Sequence, residues 1–316
     1  MSFWALLLGI FTLMELNCEN LFDTQHDSLK QDQEFLPESY HHWNDYRYWR
    51  KLDHIGQEII ASNDKTHEWV LPDMVALCEV ENDSVCRDLT KRSLLRTARY
   101  EYLVTNSPDV RGIDVALLYQ PSSFLPINHY PIRIKPVKDM RATRDILYVS
   151  GVVSSGDTLH VFVVHMPSRT GGERFSRPFR RCVAERLCES IDSIRHQNAD
   201  ANIIVTGDFN DYTGDKSLNM LVENRLIEIS ANAKGTNGAQ GTYKFQGIWG
   251  SLDHIFCSSA LADKKTECFI ADYSFLLEDD KKYGGVKPFR NFNGAKWNNG
   301  FSDHLPLIAR FEFADN

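Results

Sequence analysis

No stretch of this 316-residue chain is apolar for long enough to span a bilayer. The longest such run, Phe3 to Met14, is broken by Gly9 and Thr12 and falls short of the ~20 residues a span requires. No basic side chain precedes Lys30, so the run also lacks the charged start of a secretory signal. It reads as a first strand with a hydrophobic lead-in over residues 1–10, which favours a cytoplasmic protein. A mis-assigned start or the remnant of an export signal is the alternative. The seven cysteines form no Cys-x-x-Cys pair and are odd in number, which argues against a cysteine-built zinc site or a disulfide framework and for buried free thiols. A linker rich in Pro, Ser or Gly is missing, as is any repeat of fixed period, so residues 11–316 read as one domain. There is no basic excess either: 35 Lys and Arg against 43 Asp and Glu give a net charge of −8, where a protein that grips long nucleic acid through charge is basic.

What is present is ordinary for a folded soluble protein, with 42% hydrophobic and 25% charged residues, and excludes disorder and collagen-like structure. The charge is uneven. Pro131 to Arg181 holds ten Lys and Arg against four acids, so this stretch is +6 and the remainder −14, an arrangement that suits a compact anion better than a long duplex. Apolar, β-branched runs predict strands at Ile10–Asn17, Met74–Val80, Glu101–Thr105, Asp114–Tyr119, Ile146–Val153, Thr158–His165, Asn202–Gly207, Ser251–Cys257 and Leu305–Phe313. Helical periodicity appears at Tyr48–Ala61, and at Pro178–Arg195 with Ser176 as its expected cap. Ser154-Ser155-Gly156-Asp157 reads as a hairpin turn. Antiparallel sheet covered by helices follows. The irregular stretches Asn232–Gly247 and Glu278–Gly300 are long enough to be functional.

Five clusters end apolar strands with side chains that handle protons or metals: Asn17-Cys18-Glu19-Asn20, Glu79-Val80-Glu81, His165-Met166-Pro167-Ser168, Gly207-Asp208-Phe209-Asn210-Asp211, and the pair Asp253-His254 with Asp303-His304. A carboxylate ending an apolar strand is costly to bury unless it binds a cation or orients a histidine. Oxygen donors without clustered Cys or His point to a hard cation such as magnesium. A hard cation beside two separate histidines suits phosphoryl chemistry: one histidine protonates the leaving oxygen while an Asp, or an Asp–His pair, orients the attacking water. The spacing leaves open whether Asp208 or His304 takes the proton. Asp114 is a candidate to orient His165, the alternative being a surface ion pair with Arg111. Arg111, Arg144 and Arg169 are candidates to clamp phosphate, Arg169 foremost because it follows His165 in a Gly-rich turn.

These clusters, taken with Asp109-Val110-Arg111-Gly112-Ile113-Asp114, Pro167-Ser168-Arg169-Thr170-Gly171-Gly172-Glu173 and Gly241-Thr242-Tyr243-Lys244-Phe245, resemble the endonuclease/exonuclease/phosphatase, or deoxyribonuclease-I-like, superfamily and its bacterial branch. The resemblance runs from about Phe11 to Phe313. It implies an α/β (α+β) four-layer sandwich, two mostly antiparallel β-sheets packed face to face and flanked by helices, with the site at one edge. It also implies phosphoester hydrolysis dependent on Mg2+ or Mn2+. By position, Asn17, Glu79 and Asp303 resemble the metal-side residues. His165 resembles the phosphate-contacting, protonating histidine, Asp208 the residue that positions or deprotonates water, and Asn210 a phosphate ligand. Asp253 resembles the residue that orients the final histidine, His304. A histidine at position 165 leans toward the deoxyribonuclease and sphingomyelinase style of site.

Three functions are compatible with these residues. The first is a phosphodiesterase or nuclease. The second is a phosphomonoesterase or lipid-headgroup hydrolase on the same site. The third is a non-catalytic binding protein. The expected partner is a phosphoester, from nucleic acid or a small or lipid molecule, with no obligate protein partner and no transmembrane span. The basic, aromatic loop Lys281–Arg290 precedes Asp303 and is a candidate border of the substrate.

Overall fold

A computed structural model describes residues 9–62 and 71–313. The hydrophobic lead-in lies outside the described residues except for Gly9 and Ile10, and Ile10 already belongs to the first strand. One six-stranded sheet runs in the order β13 (Lys265–Ile270), β18 (Leu307–Glu312), β1 (Ile10–Leu21), β2 (Met74–Val80), β4 (Asp114–Tyr119), β3 (Glu101–Val104). The second runs β5 (Phe124–Ile132), β6 (Ile146–Val153), β7 (Thr158–His165), β8 (Asn202–Asp208), β12 (Asp253–Cys257), β9 (Ile227–Glu228). Three hairpins sit in loops: β10 (Tyr243–Phe245) with β11 (Ile248–Gly250), β14 (Leu277–Asp279) with β15 (Val286–Pro288), and β16 (Phe292–Asn293) with β17 (Lys296–Trp297).

Alternation along the strands builds the layers. Leu13 of β1, Ala76 of β2 and Leu117 of β4 face Val149, Val161, Ile204 and Ile255 of the other sheet in one core. Their neighbours Met14, Leu77 and Ala116 point outward onto α1 (Asp45–Ala61) and α2 (Asp83–Lys91). On the opposite outer face Phe162 and Val205 pack on α3 (Glu173–Gln197) and α4 (Lys216–Glu223). The result is a helix–sheet–sheet–helix sandwich. Within each sheet one central pair is parallel, β1 with β2 and β7 with β8. Each such pair needs a crossover, and α1 and α3 supply them.

These parallel pairs decide where the chemistry sits. The C-terminal ends of β1, β2, β7 and β8 fall at one edge of the sandwich, and the antiparallel partners β4, β12 and β18 bring their N-terminal ends to the same edge.

Two sequence expectations change. The second helix starts at Glu173, not Pro178, and Ser176 lies inside it instead of capping it. The extra turn forms because Ser176 N–H already bonds Gly172 C=O and Arg177 pairs with Glu173. Pro178 is tolerated near the helix start, where its missing N–H removes a single bond. Strands β5 and β13 were not expected. Both are edge strands, β5 carrying Pro126 and Pro131 and β13 carrying Lys265 and Glu267, and such residues mask the strand pattern while suiting an edge.

Candidate active site

Seven expected site residues, Glu79, His165, Arg169, Asp208, Asn210, Asp303 and His304, line one cleft of about 630 Å³ at this edge. Strand register explains the meeting. His165 pairs with Asp208 across the parallel β7–β8 ladder, and Asp208 pairs with Asp253 across the antiparallel β8–β12 ladder. Gly207 permits that geometry: its φ is +138°, and a Cβ there would lie 1.9 Å from Val164 O. Glu19, Asn20, Glu79 and Asn210 all have positive φ, and such unfavourable backbone states concentrate at functional sites. At Glu79 the strain coincides with a register shift between Cys78 and Val80.

Asp208 is the hub. Its Oδ1 accepts the Asn210 backbone N–H at 2.8 Å, and its Oδ2 accepts the amides of Asn17 and Asn210, each at 3.1 Å. Burial, then Asp253, with Glu79 beyond, outweigh His304 and these bonds and push the Asp208 carboxyl up to about 7. His304 Nδ1 lies 2.7 Å from Asp253 Oδ2, which also accepts the Thr242 hydroxyl. Burial pushes the His304 imidazole down. Asp253, by charge and hydrogen bond, with Asp303 and Asp208, overcomes this and lifts it well above the ordinary histidine range. His165 goes the other way: burial, then Arg144, Arg111 and His304, hold it well below that range, so it is a neutral imidazole. Its Nε2 stands 3.5 Å from Asp208 Oδ2 and 3.7 Å from Glu79 Oε1.

Whether the residues suit a divalent cation is decided by the charge they collect. Glu19, Glu79, Asp208, Asp253 and Asp303 gather here against Arg290 and His304, while the other two cations of the cleft are matched by acids of their own, Arg111 by Asp109 and Arg169 by Glu173, Asp211 and Asp215. Glu79 Oε2 accepts the Asn20 N–H at 2.9 Å, leaving Oε1 facing the cleft. This is a hard oxygen donor set short of positive charge, and it fits a hard divalent ion. Asp208, Asp253 and His304 also bring one ligand atom each within 4.8 Å of one another. The Asp208 oxygens accept three N–H groups and Asp253 Oδ2 is bound to His304 and Thr242, so the ligand atoms of this trio are already engaged. Asn17 turns its amide N–H to Asp208 and its oxygen to the Glu19 N–H. Asp303 is held by Arg290 at 3.0 Å.

Asp114 is a correction. Its carboxylate accepts the Thr105 hydroxyl and the Ser107 N–H, and His165 Nδ1 has no partner among the described residues. Asp114 shares its strand face with Ala116 and Leu118, toward the helices, whereas His165 shares its face with Val161 and Val163, between the sheets. The surface pair with Arg111 is absent too, since Asp114 is buried and Arg111 lies 3.7 Å from Asp109. Arg144 is no phosphate clamp: it is buried, donating to the His165 and Met166 carbonyls and pairing with Asp109. Arg169 and Arg111 line the cleft, Arg169 with its guanidinium 4.5 Å from the Tyr212 ring centroid. From the Lys281–Arg290 loop, Arg290 reaches the site, bridging Glu19 and Asp303.

Two residues that the sequence reading left without a role stand close behind. Glu15 is fully buried in β1 with neither carboxylate oxygen partnered among the described residues. Burial, then Asp253 and Asp208, raise it well above the carboxylate range, against His304, which favours its neutral acid form. Arg180, on α3, is fully buried with its Nε 2.7 Å from Asp211 Oδ1, and it donates to the Pro167 and Ser168 carbonyls. It ties the loop bearing Arg169 to the loop bearing Asn210. Arg180→Met strands the Asp211 carboxylate and is expected to destabilise the fold by about 3–5 kcal/mol, whereas Arg180→Met with Asp211→Leu recovers most of that. Urea unfolding of the two variants checks this, and equal losses would contradict it.

A family model described as the Endonuclease/Exonuclease/phosphatase family matches residues 12–312. The chain belongs to this family. Membership makes it a phosphoester hydrolase in general terms, in a family that uses divalent metal ions. Solved structures share the fold at low identity. An endonuclease/exonuclease/phosphatase family protein from Bacteroides thetaiotaomicron is 15% identical with a TM-score of 0.64, covering 97% of this chain and 99% of that one. A mannosyl-6-phosphatase from Bacteroides thetaiotaomicron VPI-5482 is 16% identical with a TM-score of 0.61, covering 95% and 98%. The human nocturnin catalytic domain is 20% identical with a TM-score of 0.56, covering 96% and 95%. No curated protein matches the sequence. Among the described residues, no helix of this family member is long and apolar enough to cross a membrane.

Proposed function

We propose that this family member is a Mg2+- or Mn2+-dependent phosphodiesterase of nuclease type, formed by one domain over residues 11–316. The observation that carries the diester is the openness of the cleft to both sides. It shares Arg111, Ser168 and Thr170 with a neighbouring cavity of about 470 Å³, and Arg111 with another of about 1010 Å³ beside Glu19 and Asn20. A phosphate carrying two substituents has room for both.

Glu79 would hold the ion, with Asn17 and Asp303 beside it, and when bound the ion polarises a phosphoryl oxygen and offsets developing negative charge. His304, protonated against Asp253, binds a non-bridging oxygen. Asn210 and Arg169 hold the phosphate from the opposite wall. Asp208, with a carboxyl raised toward neutrality and lone pairs fixed by Asn17 and Asn210, orients the attacking water and accepts its proton. His165 stays neutral until the negatively charged substrate arrives, then takes up a proton and passes it from Nε2 to the leaving oxygen as the bond from that oxygen to phosphorus breaks.

The neighbouring mannosyl-6-phosphatase fold supports a second reading, a phosphomonoesterase on the same residues. A panel of bis(p-nitrophenyl) phosphate, p-nitrophenyl phosphate, single-stranded DNA and phosphoinositide, run with magnesium, manganese and a chelator, separates the two. The diester should turn over at least ~10-fold faster than the monoester, with chelation reducing both to background. Monoester preference supports the second reading. Activity that survives chelation contradicts both.

A further inference from the structure

The cavity that adjoins the cleft through Arg111, Ser168 and Thr170 has a chemistry of its own. Its wall is aromatic and soft, built from Phe175, Phe179 and Met140. Phe175 and Phe179 meet edge to face with centroids 5.2 Å apart, which leaves Phe175 about half exposed. One buried hydroxyl, Thr143 Oγ1, belongs to the same wall and has no hydrogen-bond partner among the described residues. Buried polar groups without a partner are rare, and this one keeps its bonding capacity unspent beside the cavity. On the rim stand two cations, Arg111 and Arg141. Arg141 is exposed and pairs with no acid among the described residues. Of the acids at the rim, Asp109 is shared by Arg144 at 3.0 Å and Arg111 at 3.7 Å, which leaves Asp139 as the one acid facing the unpaired Arg141. These residues, apart from Asp109 and Arg111, come from the locally basic stretch between Pro131 and Arg181.

An exposed phenyl face, a lone polar handle and an unpaired arginine at the rim match one kind of group: a flat heterocycle with hydrogen-bonding edges, attached to an anion. We propose that this cavity is a subsite for an unpaired nucleobase of single-stranded nucleic acid, one nucleotide away from the scissile phosphate, with Arg141 on the next phosphate. The proposal rests on the phosphodiesterase reading and adds its substrate class. A base held in a cavity of about 470 Å³ cannot remain paired in a duplex, so the strand must be single. An acyl chain would leave the Thr143 hydroxyl and Arg141 without partners.

The test compares the magnesium-loaded enzyme with Phe175→Ala, Arg141→Ala and Thr143→Val on two substrates: a fluorescein-labelled thymidine hexanucleotide, and bis(p-nitrophenyl) phosphate, which has no base and no neighbouring phosphate. Loss of one stacked base costs about 1–3 kcal/mol, so Phe175→Ala should lower kcat/KM on the oligonucleotide by about 5–150-fold. Arg141→Ala should weaken it and flatten the salt dependence by roughly one phosphate contact. Turnover of the small diester should stay within about twofold in all three, a margin well under the tenfold that 1.36 kcal/mol brings.

Unchanged oligonucleotide turnover in Phe175→Ala and Arg141→Ala overturns the subsite. An equal loss on both substrates overturns it too, because the residues would then merely shape the cleft. A variant effect confined to phosphoinositide vesicles overturns it in favour of a lipid. Should the native enzyme cleave neither diester, the phosphodiesterase reading fails, and the subsite is judged by binding alone. Fluorescence anisotropy of the same oligonucleotide in chelator should then show at least ~5-fold weaker binding to Phe175→Ala, and equal binding overturns the proposal.

Discussion

Glu79→Gln should abolish turnover, lowering kcat at least ~10³-fold, while the protein folds as before. Glutamine keeps the shape and one acceptor for the Asn20 N–H, so the strained backbone at residue 79 retains its tether. The substitution removes a negative charge from an edge where Glu79, Asp208 and Asp303 meet in one cleft. The metal-free variant should therefore melt no lower than the metal-free native protein, since like charges are being separated, not pairs broken. The diagnostic is the response to magnesium. A ligand that binds the native state alone adds about 2.7 kcal/mol at a hundred times its Kd, enough to raise the native protein's Tm by a few degrees. Glu79→Gln should lose most of that rise. A variant that keeps both turnover and the magnesium-induced rise would show that the ion is held elsewhere, with the Asp208, Asp253 and His304 trio the next candidate.

The strands that carry the site were legible because their inward and outward faces are both apolar. Met74–Val80, Asp114–Tyr119, Ile146–Val153 and Thr158–His165 have the limits expected from their runs of Val, Leu and Ile. The edge strands β5 and β13 escaped notice because solvent, not a second layer, faces much of them. Within the site, strand parity separates the residues that converge from those that do not, and it can be counted from the sequence once the core face is known. Asn17 shares the inward parity of Leu13, His165 that of Val163, and Asp253 that of Ile255 and Cys257. Asp114 has the outward parity of Ala116. His254 has that of Phe256, and accordingly it pairs with Glu228 and the Asp211 carbonyl, away from the cleft. Glu15 has the inward parity and was left without a role, because a lone acid in an apolar strand gives no sign of what lies across the sheet. Glu79 defeats the count, since the register shift beside it turns its side chain out of sequence. Arg180 and Asp211 could not be matched from the sequence, since the pair joins a helix to a loop 31 positions on and nothing local links them.

Asp253→Asn should lower kcat by about 10²–10⁴-fold near pH 8 and by less near pH 6, which distinguishes loss of charge from loss of shape. In the native protein, burial alone would keep His304 neutral, and the Asp253 carboxylate 2.7 Å from Nδ1 is the main reason it is not. An amide there offers no compensating charge, so the imidazole falls back toward the neutral form that burial favours. Protonation of Asp208 lowers both rates as pH drops from 8 to 6, so the sign is read from the native-to-variant rate ratio, which should shrink over that range as the variant's imidazole regains its proton. Stability should follow the same sign. The folded-state pKa of His304 lies above its unfolded value of about 6.5, so the pair's contribution is fully present below that pH. It is lost as pH rises through the folded value. The stability gap between native protein and Asp253→Asn, measured by urea unfolding, should thus be wider at pH 6 than at pH 9. The opposite trend, or rate profiles of identical shape, would mean that His304 works as a neutral group, and the proton of the attacking water would then have two candidate acceptors instead of Asp208 alone.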